Sequence, residues 1–418
     1  MVYQVPYGKQ ILTFELPNLQ VDIAEANSNH SKPIDIEEII VRYAHHLLST
    51  TSPNRPFVIA FTDATRASPD QALLEPLLRI FYEHQRQATL LCAVGMHRPS
   101  THDEKIEKLG EWIVEHFPII DHDPQNVVTI GEIEGVPVQI NPMLQNAEIL
   151  SVGVVEPHQY AGYSGGTKTV IIGCGGPQTI SVTHGPQFLN MEGTRLGNIE
   201  GNPFQAFLRK AGTLLGHQHA INVITNENGE ILHIATGHPH HVHDTLINIG
   251  RSLFETPVPN PPYDVVIAGV GAPKDANLYQ ASRGATYIGL SAHPVIRDGG
   301  TIILPAELPE GVGEGKGEQN MFDVLQRFGP TNTLIDYLLQ NGCRPGEQRA
   351  FMIAQLMQKY RLIVVGAQMQ NIVELAGLET APSISHAIKM IEISSPKVLL
   401  VPHAIKTIPV PTTLSTFH

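Results

Sequence analysis

Apolar and polar positions along this chain alternate between two periods. Residues 1 to 22 swap apolar for polar side chains in the manner of a β-hairpin or meander. Residues 35 to 49 (DIEEIIVRYAHHLLS) change to helical spacing, with acids at the start where the helix dipole favours them. The run 56–61 (PFVIAF) is apolar throughout and of strand length; 70–84 reads as a helix and 88–94 as a second apolar strand. A helix follows at 102–115, with Asp103 and Glu104 as ordinary first-turn acids, and 149–155 (ILSVGVV) is another buried strand. Strands that alternate with helices build a mostly parallel sheet covered by helices.

Four prolines in PVPNPPYD, at 257–263, predict a stiff linker rather than a helix or central strand. A second unit of the same kind follows, with strands at 264–270, 301–304, 362–366 and 398–401. A helix from about Ala276, a glycine-rich loop at 311–317 and helices at 333–341 and 346–359 lie between them. The expectation is an α/β protein of two α/β domains, 1–260 and 261–394, with mostly parallel sheets. The tail 395–418 is left free to return to the first domain. Ligands of open parallel sheets sit outside the carboxyl ends of the strands. Arg66, His97 and His158 all follow strands, and so does the set Lys274, Asn277, Tyr279, Gln280 and Arg283. Four strand ends offering cations or imidazoles, from both domains, predict one active site in an interdomain cleft.

Composition narrows the class. A net charge of −13 argues against nucleic acid or an anionic membrane surface as partner. Three scattered cysteines give neither a disulfide framework nor a metal knuckle, and no apolar run has the length of a membrane span. A soluble, cytoplasmic protein is expected. Of the 21 histidines, those in 238–243 (HPHHVH) read as a solvated approach to a helix at 244–254.

The densest chemistry lies in 156–184 (EPHQYAGYSGGTKTVIIGCGGPQTISVTH), where two glycine clusters flank Lys168. A nucleotide-phosphate loop is excluded by spacing, because Thr167 stands between Gly166 and Lys168. Lys168 has the setting of a nucleophilic or adduct-forming amine, and His184 that of a metal ligand. The plainer alternative is a solvated lysine with packed histidines; Cys174 reads as a small packed residue.

Taken together, the motifs resemble the nickel-pincer lactate racemase family. They are Asp63-x-x-Arg66-x-x-Pro69, Gly95-Met96-His97-Arg98-x-x-Thr101, His158 with Gly165-Gly166-Thr167-Lys168, His184, and Asn277-Leu278-Tyr279-Gln280. Each alone is weak; five in order across 60–285 are specific. The resemblance implies a nickel pincer nucleotide tethered through Lys168, with Asp63, Gly165 and Gly166 beside it and His184 on the nickel. It implies His97 and His158 as acid/base residues on opposite faces of a 2-hydroxy acid. Arg66, Tyr279, Gln280 and Arg283 become substrate-binding residues. The reaction implied is inversion at the α-carbon by reversible hydride transfer, and the implied partners include enzymes that make and insert the cofactor. Oligomeric state is left open.

Two departures bear on the substrate. Lactate-specific members carry Lys where this chain has Arg283, and a Trp in the second-domain pocket wall, whereas Trp112 here is far upstream. A larger, dicarboxylic or sugar-acid 2-hydroxy acid is therefore expected ahead of lactate, and an epimerase of a polyol acid is a rival within the family. A zinc-dependent hydrolase and a non-catalytic nickel-nucleotide carrier are the alternatives from other classes.

Overall fold

A computed structural model describes residues 1–27, 32–226, 228–259 and 261–412 of the chain. Two six-stranded sheets dominate. The first runs in the spatial order Ile231–Gly237, His219–Thr225, Glu148–Val154, Phe57–Thr62, Thr89–Ala93, Ile119–Asp121. All its pairings are parallel except the one at the Ile231–Gly237 edge. The second runs Glu379–Ala381, Arg361–Val365, Ile296–Pro305, Tyr263–Ala268, Val398–Val401, Val21–Ile23, and is parallel throughout.

The apolar runs are strands buried on both faces, and the period of two sorts their side chains. Phe57, Ile59 and Phe61 enter a core beneath the helices Glu37–Thr50 and Asp70–Glu83, whereas Val58 and Ala60 point into a different one. In the second sheet Val265, Ile267 and Ile303 face outward against the N-terminal hairpin. Val266, Ala268, Ile302 and Leu304 face the same cluster as Val58 and Ala60. One continuous apolar layer therefore joins the two domains.

Several expectations are corrected. The expected first domain, 1–260, includes the N-terminal hairpin. In fact Val21–Ile23 is an edge strand of the second sheet, and Tyr3, Val5, Phe14 and Leu16 pack on Val265, Ile267 and Val365. Local alternation marks a hairpin without saying which sheet it covers. The tail divides: Val398–Val401 lies inside the second sheet, and Ile408–Pro411 returns to pair with Glu255–Val258. The proline-rich linker is thus partly an edge strand; residues 413–418 lie outside the described residues. The helix read over 102–115 breaks at Gly110, whose φ of 81° ends His102–Leu109 before Glu111–His116 begins. Thr101 and Glu104 close the start of that helix as a capping box. The helices Pro203–Leu215 and Lys316–Phe328 escaped the sequence reading.

Gly269 shows how tightly the N-terminal hairpin is seated. A Cβ there meets Val5 Cγ2 at 2.2 Å and the Pro402 carbonyl oxygen at 2.3 Å, and the second of these cannot rotate away. We expect Gly269→Ala to destabilise the protein by about 1–3 kcal/mol in urea unfolding, the usual cost of overpacking. An unchanged midpoint at unchanged slope would refute this seating.

Candidate active site

Asp63 follows the strand Phe57–Thr62, is 7% exposed, and receives the Nδ1–H of His97 at 2.6 Å. Burial alone would raise its carboxyl, but hydrogen bonds from His97 and Thr65 outweigh burial and hold it below the usual range. His97 comes from the loop after Thr89–Ala93 and is half exposed, 52% by side chain. With Nδ1–H given to Asp63, the neutral ring keeps its lone pair on Nε2. The turn that carries it is anchored where the Gly95 N–H meets the Gly173 carbonyl, at 2.8 Å.

His158 lies on the two-residue strand Pro157–His158, opposite Gly162. Its Nδ1 accepts the backbone N–H groups of Tyr160 and Ala161, at 3.3 and 3.2 Å. Backbone N–H can only donate, so the neutral ring carries its proton on Nε2. Burial, with Lys168, Arg66 and Arg283 nearby, pushes the imidazole well below its ordinary pKa and keeps it neutral. His184 caps the helix Pro177–Thr183 and is set the other way round. The Thr183 hydroxyl donates to the Thr179 carbonyl at 2.8 Å, so it accepts from His184 Nδ1–H at 3.1 Å. The Nε2 lone pair of His184 is left free. Burial, then Lys168, lowers this imidazole to about 3, so the free lone pair persists across the neutral range.

Lys168 opens the short helix Lys168–Ile171 rather than ending a strand. Burial, followed by repulsion from Arg66, brings its amine down to about 7. Gly165 and Gly166 take φ of 91° and 59°. The space a Cβ would need is filled by Val155 at Gly165 and by His243 at Gly166, so packing within the protein requires both glycines. The Gly166 N–H is taken by Asn222 Oδ1 at 2.8 Å, and the Ser164 carbonyl by His243 Nε2 at 2.9 Å. His243, read as solvated, is 1% exposed and holds this loop in place; its helix starts at Pro239, not 244.

The second domain contributes the helix Leu278–Gly289, capped by Asn277 through the Gln280 N–H at 3.0 Å. Gln280, Arg283 and Tyr287 recur at helical spacing on one face. Gln280 Oε1 and Arg283 Nε are both buried without a hydrogen-bond partner. Lys274, from the loop before this helix, is lowered to about 8 by burial and by Arg283 and Arg66. Arg66, Lys168, Lys274 and Arg283 thus act on one another across the domain boundary, as the strand-end rule predicts. Among the described residues none of the four is in an ion pair. Trp112 is outside this cleft, stacked on His116 at 4.7 Å with Arg79 4.2 Å above it. Among the described residues no three His, Cys, Asp or Glu side chains form a metal-holding group.

Comparison with known proteins agrees with this architecture. The lactate racemase N-terminal domain matches residues 7–197, and the lactate racemase C-terminal domain matches 258–408. A lactate racemase of Lactiplantibacillus plantarum is 30% identical over 336 residues, covering 77% of this chain and 78% of that one. The chain belongs to the lactate racemase family. A second member, from Thermoanaerobacterium thermosaccharolyticum, is 28% identical over 387 residues, 87% of either chain. The structure of the lactate racemase apoprotein from that organism superposes with a TM-score of 0.84 at 25% identity, over 98% of this chain and all of the other. A Thermotoga maritima protein shares the fold at 16% identity, with a TM-score of 0.68 over 91% of this chain and 99% of that one. Family membership makes the chain an isomerase of the racemase/epimerase class. No helix among the described residues is long and apolar enough to cross a membrane.

No sequence signal points to Tyr160, whose ring meets His158 at 5.6 Å and His184 at 5.7 Å, or to the buried Arg349. Tyr160 lies inside the segment singled out, but its apolar neighbours gave it no chemical signal.

The depressed Lys168 amine has a direct consequence. Its neutral, nucleophilic form is gained as pH rises through about 7. Acetic anhydride labelling read by peptide mass spectrometry should therefore rise about tenfold between pH 6 and 8 at Lys168 and then level off. A rise in step with exposed Lys9 over the whole range contradicts the assignment.

Proposed function

We propose that this chain inverts the α-carbon of a 2-hydroxy acid. In this reading Lys168 and His184 hold a nickel pincer nucleotide, and His97 and His158 manage the hydroxyl proton. The observation that carries the reading is a pair of imidazoles held in complementary states beside one cationic cleft. His97 passes Nδ1–H to Asp63 and keeps Nε2 for proton transfer, while His158 presents Nε2–H.

The residues fit the cofactor that the family resemblance implies. Lys168 is a near-neutral amine suited to a covalent tether, and His184 offers a fixed Nε2 lone pair. A single protein donor suits a metal whose other ligands come with the nucleotide. Arg66 and Lys274 are available to balance anionic groups, and the carboxylate of the substrate suits the guanidinium of Arg66 or Arg283 with Gln280 beside it.

The α-hydrogen of a 2-hydroxy acid is too weakly acidic for an imidazole to remove as a proton. If it departs as hydride while His97 Nε2 takes the hydroxyl proton, the substrate becomes a planar 2-keto acid and no carbanion forms. When bound, the nickel nucleotide supplies the acceptor for that hydride. Return of the hydrogen to the opposite face, with the proton held at His97 Nε2 given back to the oxygen and the Nε2–H of neutral His158 available to hydrogen-bond that oxygen, gives the other enantiomer. Arg283 in place of lysine, and the absence of tryptophan from the cleft, support a substrate other than strictly lactate.

The test is protein from a host that co-expresses the cofactor-assembly enzymes, with Lys168 analysed by peptide mass spectrometry and nickel quantified on the same sample. An adduct at Lys168 with about one nickel per chain and inversion of a 2-hydroxy acid is expected. His97→Ala and His158→Ala should each keep the adduct and lose about 10²–10⁴-fold in turnover, the range for loss of a general acid or base. Asp63→Asn should lower kcat with little change in KM, since it acts through His97. Full activity in either histidine variant, or unmodified Lys168 in a host that loads a control family member, rules the reading out.

A further inference from the structure

The helix Glu347–Met357 carries a cation that neither the sequence motifs nor the reaction above uses. Arg349 is 1% exposed, so its guanidinium has been withdrawn from water. A buried cation is ordinarily met by a carboxylate, because loss of hydration is costly. Among the described residues Arg349 has none: Nη1 donates to Thr286 Oγ1 at 3.1 Å, and Nε has no acceptor. Its guanidinium carbon lies 5.7 Å from the centroid of the Tyr279 ring. One neutral hydrogen bond and a distant ring offset only part of the desolvation.

The surroundings of Arg349 belong to the cleft. Tyr279 and Thr286 are on the helix that presents Gln280 and Arg283. Arg283 lies within electrostatic reach of Arg349, Lys168 and Lys274, and its Nε is likewise buried and unpaired. Two guanidiniums with an orphaned Nε thus come from neighbouring second-domain helices and act on each other, while Arg66 comes from the first domain. A single carboxylate accounts for one or two of these three groups. Asp63 acts on Arg66 and Lys168, and Glu156 on Lys168 and Lys274, but among the described residues no carboxylate forms an ion pair with Arg283 or Arg349. A ligand anion would supply the counter-charge that Arg283 and Arg349 lack.

We propose that Arg349, with Arg283, forms a subsite for a second carboxylate, so that the substrates are 2-hydroxy dicarboxylic acids. This rests on the racemase reading of the cleft and names the substrate class within it. The planar fork of a guanidinium matches a carboxylate in two hydrogen bonds, and each of these arginines has an unused Nε. A methyl or other neutral group at this position leaves both cations desolvated and unpaired. Sites that hold a buried polar group for their ligand discriminate strongly against analogues that lack its partner. A phosphate offers the same anionic chemistry, so the experiment has to separate the two sources.

With loaded enzyme, chiral chromatography should give a kcat/KM for malate at least about tenfold that for lactate. Arg349→Met should cut this malate-to-lactate ratio by about tenfold or more, and Arg349→Lys should retain part of it. Thermal unfolding of the unloaded chain supplies a readout independent of turnover. Malate should raise the midpoint more than lactate does in the wild type but not in Arg349→Met. The ligand-free midpoint of Arg349→Met should be unchanged or higher, because an uncompensated buried charge is removed. A lower ligand-free midpoint with the malate preference intact makes Arg349 structural and overturns the proposal. Stabilisation by inorganic phosphate that disappears in Arg349→Met, with malate and lactate equivalent, assigns the cation to phosphate and also overturns it. Loaded wild-type enzyme that inverts neither acid, while malate still stabilises through Arg349, leaves the subsite standing and removes the racemase reading instead.

Discussion

The apolar layer shared by the two sheets is the constraint on which everything else in this molecule depends. Val58, Ala60, Leu91 and Ile149 of the first sheet belong to one cluster with Val266, Ala268, Ile302 and Leu304 of the second. Side chains in such a layer are close-packed, so the two domains have a defined relation to each other. That relation fixes where the carboxyl ends of the strands lie. Loops after Phe57–Thr62, Thr89–Ala93 and Glu148–Val154 meet the helix that follows Tyr263–Ala268, and polar residues more than two hundred positions apart share one cleft.

Within the cleft, burial sets the chemical state of each group. Withdrawal from water, reinforced by neighbouring cations, brings Lys168 toward neutrality and keeps His158 and His184 uncharged. Hydrogen bonds then decide which nitrogen of each ring is available. A carboxylate takes Nδ1–H of His97, two backbone N–H groups occupy Nδ1 of His158, and a threonine already committed to a carbonyl takes Nδ1–H of His184. Three histidines of the same composition thereby become a proton acceptor, a proton-bearing donor and a metal-competent lone pair. Among the described residues Arg66, Lys168, Lys274 and Arg283 form no ion pair, although Asp63 and Glu156 act on some of them at longer range, so the cleft favours anions.

Much of this was legible in the chain. The apolar runs at 56–61, 88–94, 149–155 and 264–270 had the length and flanking signals of buried parallel strands, and each proved to be one. The candidate site residues follow from where those strands stop. Other features were not local. The hairpin at 1–22 was recognised, yet its place on the second sheet depends on which apolar surface was left uncovered. His243 sits in a histidine-rich tract that looks solvated, and only the folded chain shows it supporting the Ser164 carbonyl. The glycine clusters flanking Lys168 are plain in the sequence, but only the fold shows His243, Val155 and Asn222 pressing against Gly165 and Gly166.

The sequence by itself determined the α/β class, most of the order of strands and helices, the family, and which polar residues fall at the ends of the strands. These depend on short-range patterns: periodicity, glycine and proline punctuation, and motifs confined to a few turns of chain. Only the tertiary structure decided which sheet the two termini complete, which nitrogen each histidine offers, and which cations have no partner. Those are properties of long-range neighbours and of solvent exclusion. Arg349 illustrates the difference, since in the sequence it is an ordinary arginine on a helix, and in the fold it is a buried charge that forms no ion pair among the described residues.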